Sequence, residues 1–144
     1  MRALFWFCSN FNLGNITPSS RTKKVDEFEL PINETDVIVP WVTVESISDG
    51  SSKVFDQFLT DLTSFSNHHK SKKIILVPFA HLSEKIAKRD VAFKVLLNLE
   101  KFLLENGFQV TRAHFGSYKD LSFESKANKL QVVSRVYPIP DFKK

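Results

Sequence analysis

The chain has 144 residues, 42% of them hydrophobic and 25% charged, which suits one globular domain with its own core. No apolar run approaches the roughly 18 residues of a membrane span, so a helical membrane protein is excluded. The single cysteine, Cys8, excludes an internal disulfide and fits a reducing compartment, the cytoplasm. The net charge is +4, and from Arg112 to Lys144 seven Lys or Arg stand against three Asp or Glu. That mild basic bias raises the weight of a nucleic-acid partner without requiring one.

Fourteen Phe against four Gly predict a core filled with aromatic rings. The opening run, Arg2 to Cys8, reads as a strand buried on both faces rather than a leader, because Cys8-Ser9-Asn10 makes a poor cleavage site. Asn10 to Lys24 reads as a polar loop, and Val25 to Leu30 as an edge strand ended by Pro31. Val37 to Val44 is β-branched and apolar; its Pro40 argues for an edge position or a bulge. Capping residues follow from Ser46 to Ser52. Val54, Phe55, Phe58, Leu59, Leu62 and Phe65 then fall at helical spacing, one apolar stripe of about three turns.

Ile74 to Val77 reads as a short buried parallel strand. A second amphipathic helix is expected from about Asp90 to Glu105, with Asp90 as its N-cap and Gly107 as its stop. Phe108 to His114, Lys119 to Phe123 and Leu130 to Tyr137 complete the strands. The order predicts an α/β domain over residues 1–137, a mixed β-sheet covered by two helices. Residues 138–144 read as a linker or tail.

Two segments carry the candidate chemistry. Pro78-Phe79-Ala80-His81-Leu82-Ser83 and His114-Phe115-Gly116-Ser117-Tyr118-Lys119 each follow an apolar strand and place an ionisable side chain at its end. A lysine among aromatic rings and peptide groups can stabilise an oxyanion. Gly116 lets a backbone approach a ligand. The four histidines make no HExxH pair, so no metal is expected. No Gly-rich phosphate loop and no GxSxG context occurs, and no cofactor is expected.

At these residues the chain resembles the N-terminal editing domain of archaeal-type threonyl-tRNA synthetases. The matching runs are Val77 to Ser83, Leu99-Glu100, Arg112 to Lys119 and Ser134-Arg135, with Met1 to Leu4 and Val42 to Glu45 in weaker agreement. The resemblance implies a fold like that of D-aminoacyl-tRNA deacylases and hydrolysis of serine wrongly attached to threonine tRNA. It implies Lys119, His81 and Tyr118 as catalytic residues and Val44, Pro78, Ala80, Phe115 and Gly116 as pocket lining. Lys126, Lys129 and Arg135 are expected to meet the tRNA, with Lys85, Lys88 and Arg89 as further candidates. The implied partners are the acceptor end of tRNA(Thr), a second copy of the chain and a catalytic synthetase module, with no membrane. The alternatives are a decayed, non-catalytic tRNA-binding domain and a D-aminoacyl-tRNA deacylase.

The chain departs from the family pattern at four places. Val132 stands at the family's glutamate, Asn128 at its histidine, Ser117 at an aromatic position, and Cys8-Ser9-Asn10 at a His-Ser-Asp-like segment. Glu124 and Asp120 are the nearest acids that could replace the lost carboxylate.

Overall fold

The computed structural model describes residues 1–18 and 31–140. The elements are β1 (Arg2–Pro18), β2 (Ile32–Thr43), a 3-10 turn (Ile47–Gly50), α1 (Ser52–His69), β3 (Lys73–Pro78), α2 (Arg89–Glu105), β4 (Gln109–Arg112), β5 (Ser117–Glu124) and β6 (Val132–Val136). The sheet runs β4-β3-β2-β1-β5, with β6 also on β1. It is mixed: β1 is antiparallel to β2, β5 and β6, whereas β2, β3 and β4 are parallel. The expected α/β class, a mixed sheet with two helices, is what is found.

β1 is far longer than the apolar run that announced it. The span from Asn10 to Pro18, expected as loop, continues the strand. Its polar side chains alternate with buried Phe11 and Leu13, a half-buried strand pattern diluted by Asn and Gly. Two partners share the outer edge of β1: β6 pairs with Arg2 to Trp6, and β5 pairs from Asn10 to Pro18. The β5 register shifts between Leu13 and Ile16, where the sheet curls. The edge strand expected from Val25 to Leu30 lies outside the described residues.

β2 begins earlier than the apolar run suggested and sits inside the sheet, between β1 and β3, so Pro40 does not mark an edge. Its partners on β3 are Ile38 with Ile74, then Trp41 with Val77 and Val42 with Pro78. The parallel ladder thus opens around Pro40, which has no N–H to donate.

Two cores flank the sheet. The first holds the helices: Phe5, Ile38, Val42, Ile74 and Leu76 meet Val54, Phe58, Leu62 and Phe65 of α1 and Val95, Leu96, Leu99 and Leu103 of α2. The Phe58 ring lies 5.1 Å from Phe5 and 5.8 Å from Tyr137. The second core fills the other side with Cys8, Phe11, Leu13, Ile32, Val37, Val39, Ile75, Val77 and Ala113, and Trp6, Trp41 and Leu121 pack around it. Burial pushes the Cys8 thiol up to about 11, so it stays protonated and is no nucleophile.

Ser51 caps α1, its hydroxyl accepting from Val54 N at 3.3 Å. The N-cap of α2 is Lys88, not Asp90, which lies in the first turn and there favours the helix dipole. Gly107 follows α2 with φ +88, the left-handed conformation that glycine accepts without strain.

Candidate functional site

β3 and β4 are parallel neighbours, Leu76 opposite Arg112, and Ala113 N donates to Leu76 O at 2.9 Å. The two motif segments therefore leave adjacent strands at the same end. The first is carried on the end of β2. Phe79 N donates to Val42 O at 2.9 Å, and Ala87 N to Val44 O at 3.0 Å. Between them the buried Thr43 hydroxyl donates to Phe79 O and accepts from Leu82 N at 3.3 Å, spanning the turn that holds His81.

Glu45 ties the same loop down, taking the Ser83 hydroxyl at 2.7 Å. The Met1 ammonium group, fully buried, pairs with Glu45 at 3.1 Å and with Asp49 at 2.8 Å. Burial alone would raise the Glu45 carboxyl. The Ser83 hydroxyl, the Met1 ammonium and Arg2 outweigh it and hold Glu45 below its ordinary value of 4.5. Neither Thr43 nor Glu45 announces this role in the sequence. The only signal is a polar pair closing an apolar strand.

His81 itself is exposed, its ring meeting the edge of Phe79 at 5.1 Å. Phe79 touches Trp41 at 4.9 Å, Trp41 touches Phe123 at 5.8 Å, and Phe123 touches Trp6 at 5.7 Å. These rings form an aromatic floor on the second-core side of the sheet, from the His81 loop to β5. Sequence reasoning assigned Trp6, Trp41 and Phe123 no place in the site.

The second segment turns at Gly116, φ +80, into β5. Along β5 the side chains alternate. Leu121 packs on the second core and Phe123 on the aromatic floor, so Lys119 shares their side, about 13 Å along the strand from Phe123. Its ammonium donates to Ser117 O at 2.9 Å. Tyr118 points to the other face and is 72% exposed, so the structure separates it from Lys119. Glu124 and Asp120 fall on that same opposite face. Glu124 there accepts the Ser9 hydroxyl at 3.4 Å.

Among the expected lining residues, Pro78 is half-buried and Ala80 exposed. The side chain of Val44 lies in the first core, which leaves its backbone to face a ligand. Phe115 packs against Phe93 of α2 at 5.2 Å. Beside it Arg112, nearly buried, meets Glu100 at 2.7 Å. Two of the matched family runs, at Glu100 and Arg112, thus form one ion pair that fastens the turn to α2.

Lys126 and Lys129 are exposed in the link between β5 and β6. Arg135 lies on the helix side of β6, 3.4 Å from Asp61. Val132 points the other way, toward the second-core side, and is 40% exposed. Lys85 and Lys88, between the His81 loop and α2, and Arg89, the first residue of α2, are exposed. Among the described residues no group of three His, Cys, Asp or Glu could hold a metal ion, and no helix is long and apolar enough to cross a membrane.

Residues 1–136 match the model of the archaea-specific editing domain of threonyl-tRNA synthetase. The chain belongs to this family. It is 31% identical over 121 residues to a threonine–tRNA ligase of Thermococcus kodakarensis, covering 83% of this chain and 18% of that protein. The threonine–tRNA ligase of Methanopyrus kandleri is 33% identical over 116 residues, 78% of this chain and 19% of the relative. The chain thus spans a fifth or less of the length of the curated relatives it matches.

Proposed function

We propose that this editing domain hydrolyses the ester joining L-serine to threonine tRNA. The observation that supports the reading is the editing-domain match over residues 1–136, with the His81 loop at one end of an aromatic row that reaches Phe123 of β5, the strand whose same face bears Lys119. Serine lacks one methyl group of threonine. A methylene-sized difference gives roughly 1–3 kcal/mol of discrimination, too little for faithful charging, so a second sieve that excludes threonine by its methyl is required. Pro78, Ala80, Gly116 and the backbone at Val44 and Phe115 would form that sieve.

In the reaction a water oxygen attacks the ester carbonyl carbon. The bond from that carbon to the ribose 3′-oxygen breaks, the 3′-oxygen takes a proton, and L-serine and uncharged tRNA leave. The Lys119 ammonium stabilises the oxyanion that develops on the carbonyl oxygen. His81 orients the substrate from its loop, and Tyr118, on the outer face of β5, contacts the RNA rather than the reacting ester. Lys126, Lys129 and Arg135 meet acceptor-end phosphates. The natural partners are tRNA(Thr), a second copy of the chain and a catalytic synthetase module, in the cytoplasm.

One observation favours a second reading, a non-catalytic tRNA-binding domain: Val132 puts a methyl-bearing side chain where the family resemblance places a carboxylate. Deacylation assays with L-seryl-, L-threonyl- and D-aminoacyl-tRNA separate the readings. The editing function is expected to release serine and spare threonine. Release of D-amino acids alone would make the domain a D-aminoacyl-tRNA deacylase, and no release with retained tRNA binding would make it a binding domain.

A further inference from the structure

His114 and Ser117 are three residues apart, and Ser117 stands at the position where the family resemblance expects an aromatic ring. The structure joins them. His114 Nδ1 and Ser117 Oγ are 2.9 Å apart across the Gly116 turn, with His114 only 6% exposed. Ser117 also accepts the Lys119 ammonium on its backbone carbonyl at 2.9 Å. Alternation along β5 puts the Ser117 side chain on the same side as Lys119. A hydroxyl backed by an imidazole nitrogen is a proton-accepting unit, and here it stands directly beside the cation assigned to the oxyanion.

We propose that Ser117 is a further catalytic residue, with His114 the positioning residue that drains its proton, and that the pair replaces the acid absent at Val132. The inference rests on the deacylase reading above. The attacking water gives a proton to Ser117 Oγ as the Ser117 hydroxyl gives its own to His114 Nδ1. Hydroxide adds to the ester carbonyl carbon. As the carbon–O3′ bond breaks, the proton held on His114 returns through Ser117 to the 3′-oxygen, so neither residue is changed at the end of a turnover. This direction of hydrogen bonding places the ring proton of neutral His114 on Nε2.

The test is single-turnover and steady-state deacylation of L-seryl-tRNA(Thr) by the whole domain and four variants. Ser117→Ala is expected to lower kcat by about 10²–10⁴-fold with KM nearly unchanged, the usual range for a lost proton acceptor. Ser117→Thr keeps the hydroxyl and is expected to stay within a few-fold of the parent. His114→Asn is the deciding variant: its amide oxygen can still accept from Ser117 but cannot take a proton. A loss as large as that of Ser117→Ala supports proton transfer, and the double variant should be no worse than either single one. A His114→Asn protein of parental rate would reduce the pair to a turn-fastening hydrogen bond and overturn the proposal, as would an unchanged rate in Ser117→Ala, a small substitution at a half-buried residue that keeps the proposal testable if His114→Asn does not fold. A parent domain inactive on every aminoacyl-tRNA would overturn the deacylase reading and the pair with it. An active parent with unaffected Ser117→Ala would overturn the pair alone.

Discussion

Val132 is the register partner of Trp6 across the β6–β1 ladder, and both side chains face the side of the sheet that holds the second core. Opposed side chains in such a pair stand about 4.5–5.5 Å apart at Cβ. Position 132 therefore borders the aromatic floor that runs on to His81. Because Val132 is 40% exposed, a carboxylate placed there keeps its hydration and costs little.

Val132→Glu is accordingly expected to fold with the parent's thermal midpoint and to raise the deacylation rate of L-seryl-tRNA(Thr). Glu124→Gln is expected to leave the rate unaltered, since Glu124 lies on the opposite face of β5 beside Ser9. A rate abolished by Glu124→Gln would mean that the acid has moved there. If neither change alters the rate, position 132 lies outside the chemistry.

Lys119→Met is expected to cut deacylation by about 10²–10³-fold, or roughly 2.7–4 kcal/mol, the cost of removing a preorganised group from a developing oxyanion. Its ammonium donates to the Ser117 carbonyl at the start of β5, and Lys119 belongs to neither buried core, so the fold should persist. Circular dichroism checks the fold and a single-turnover assay the rate. A full rate in the variant would remove Lys119 from catalysis.

Acid should weaken the domain in two steps, and the sign follows from the two groups. Burial holds His69 below its ordinary 6.5, ahead of the opposing Leu130 hydrogen bond at 2.6 Å. The unfolded chain thus takes a proton there before the folded one does, and stability is lost as pH falls below about 6.5. Glu45 is held below its ordinary 4.5, so its contribution is present above that value and is lost as pH falls through the folded pKa. Urea midpoints measured from pH 8 to pH 3 should show both declines. His69→Gln should remove the first and Glu45→Gln the second.

tRNA binding should weaken with salt because neutralised phosphates release counterions. Replacing Lys126 and Lys129 by alanine is expected to flatten the slope of log K against log salt by about 0.7–0.9 for each phosphate that is no longer neutralised. Arg135→Ala should change the slope less, because Asp61 already holds that guanidinium on the helix side. Filter binding at several salt concentrations reads these slopes, and an unchanged slope in the double variant would move the RNA elsewhere.

The helices, the short parallel strands and the two motif segments could be read from residue order alone, because each is encoded locally. Apolar spacing in Val54 to Phe65 sets α1, the Ile74 to Val77 run sets β3, and Gly107 and Gly116 mark turns that need positive φ. The family could be read for the same reason, since its signature runs are contiguous. What the sequence left open depends on residues far apart in the chain. The polar second half of β1 is a strand because β2 and β5 supply its hydrogen bonds. Pro40 is interior because the parallel ladder opens around it. Thr43 and Glu45 hold the His81 loop about 40 residues further on, and Trp6, Trp41 and Phe123 meet only where the sheet curls. Position 132 is solvent-facing because β6 packs only its odd residues on the helix side. Local pattern determines which element forms. Which face of that element becomes the site is decided by register and curl, and those exist only once the strands have paired.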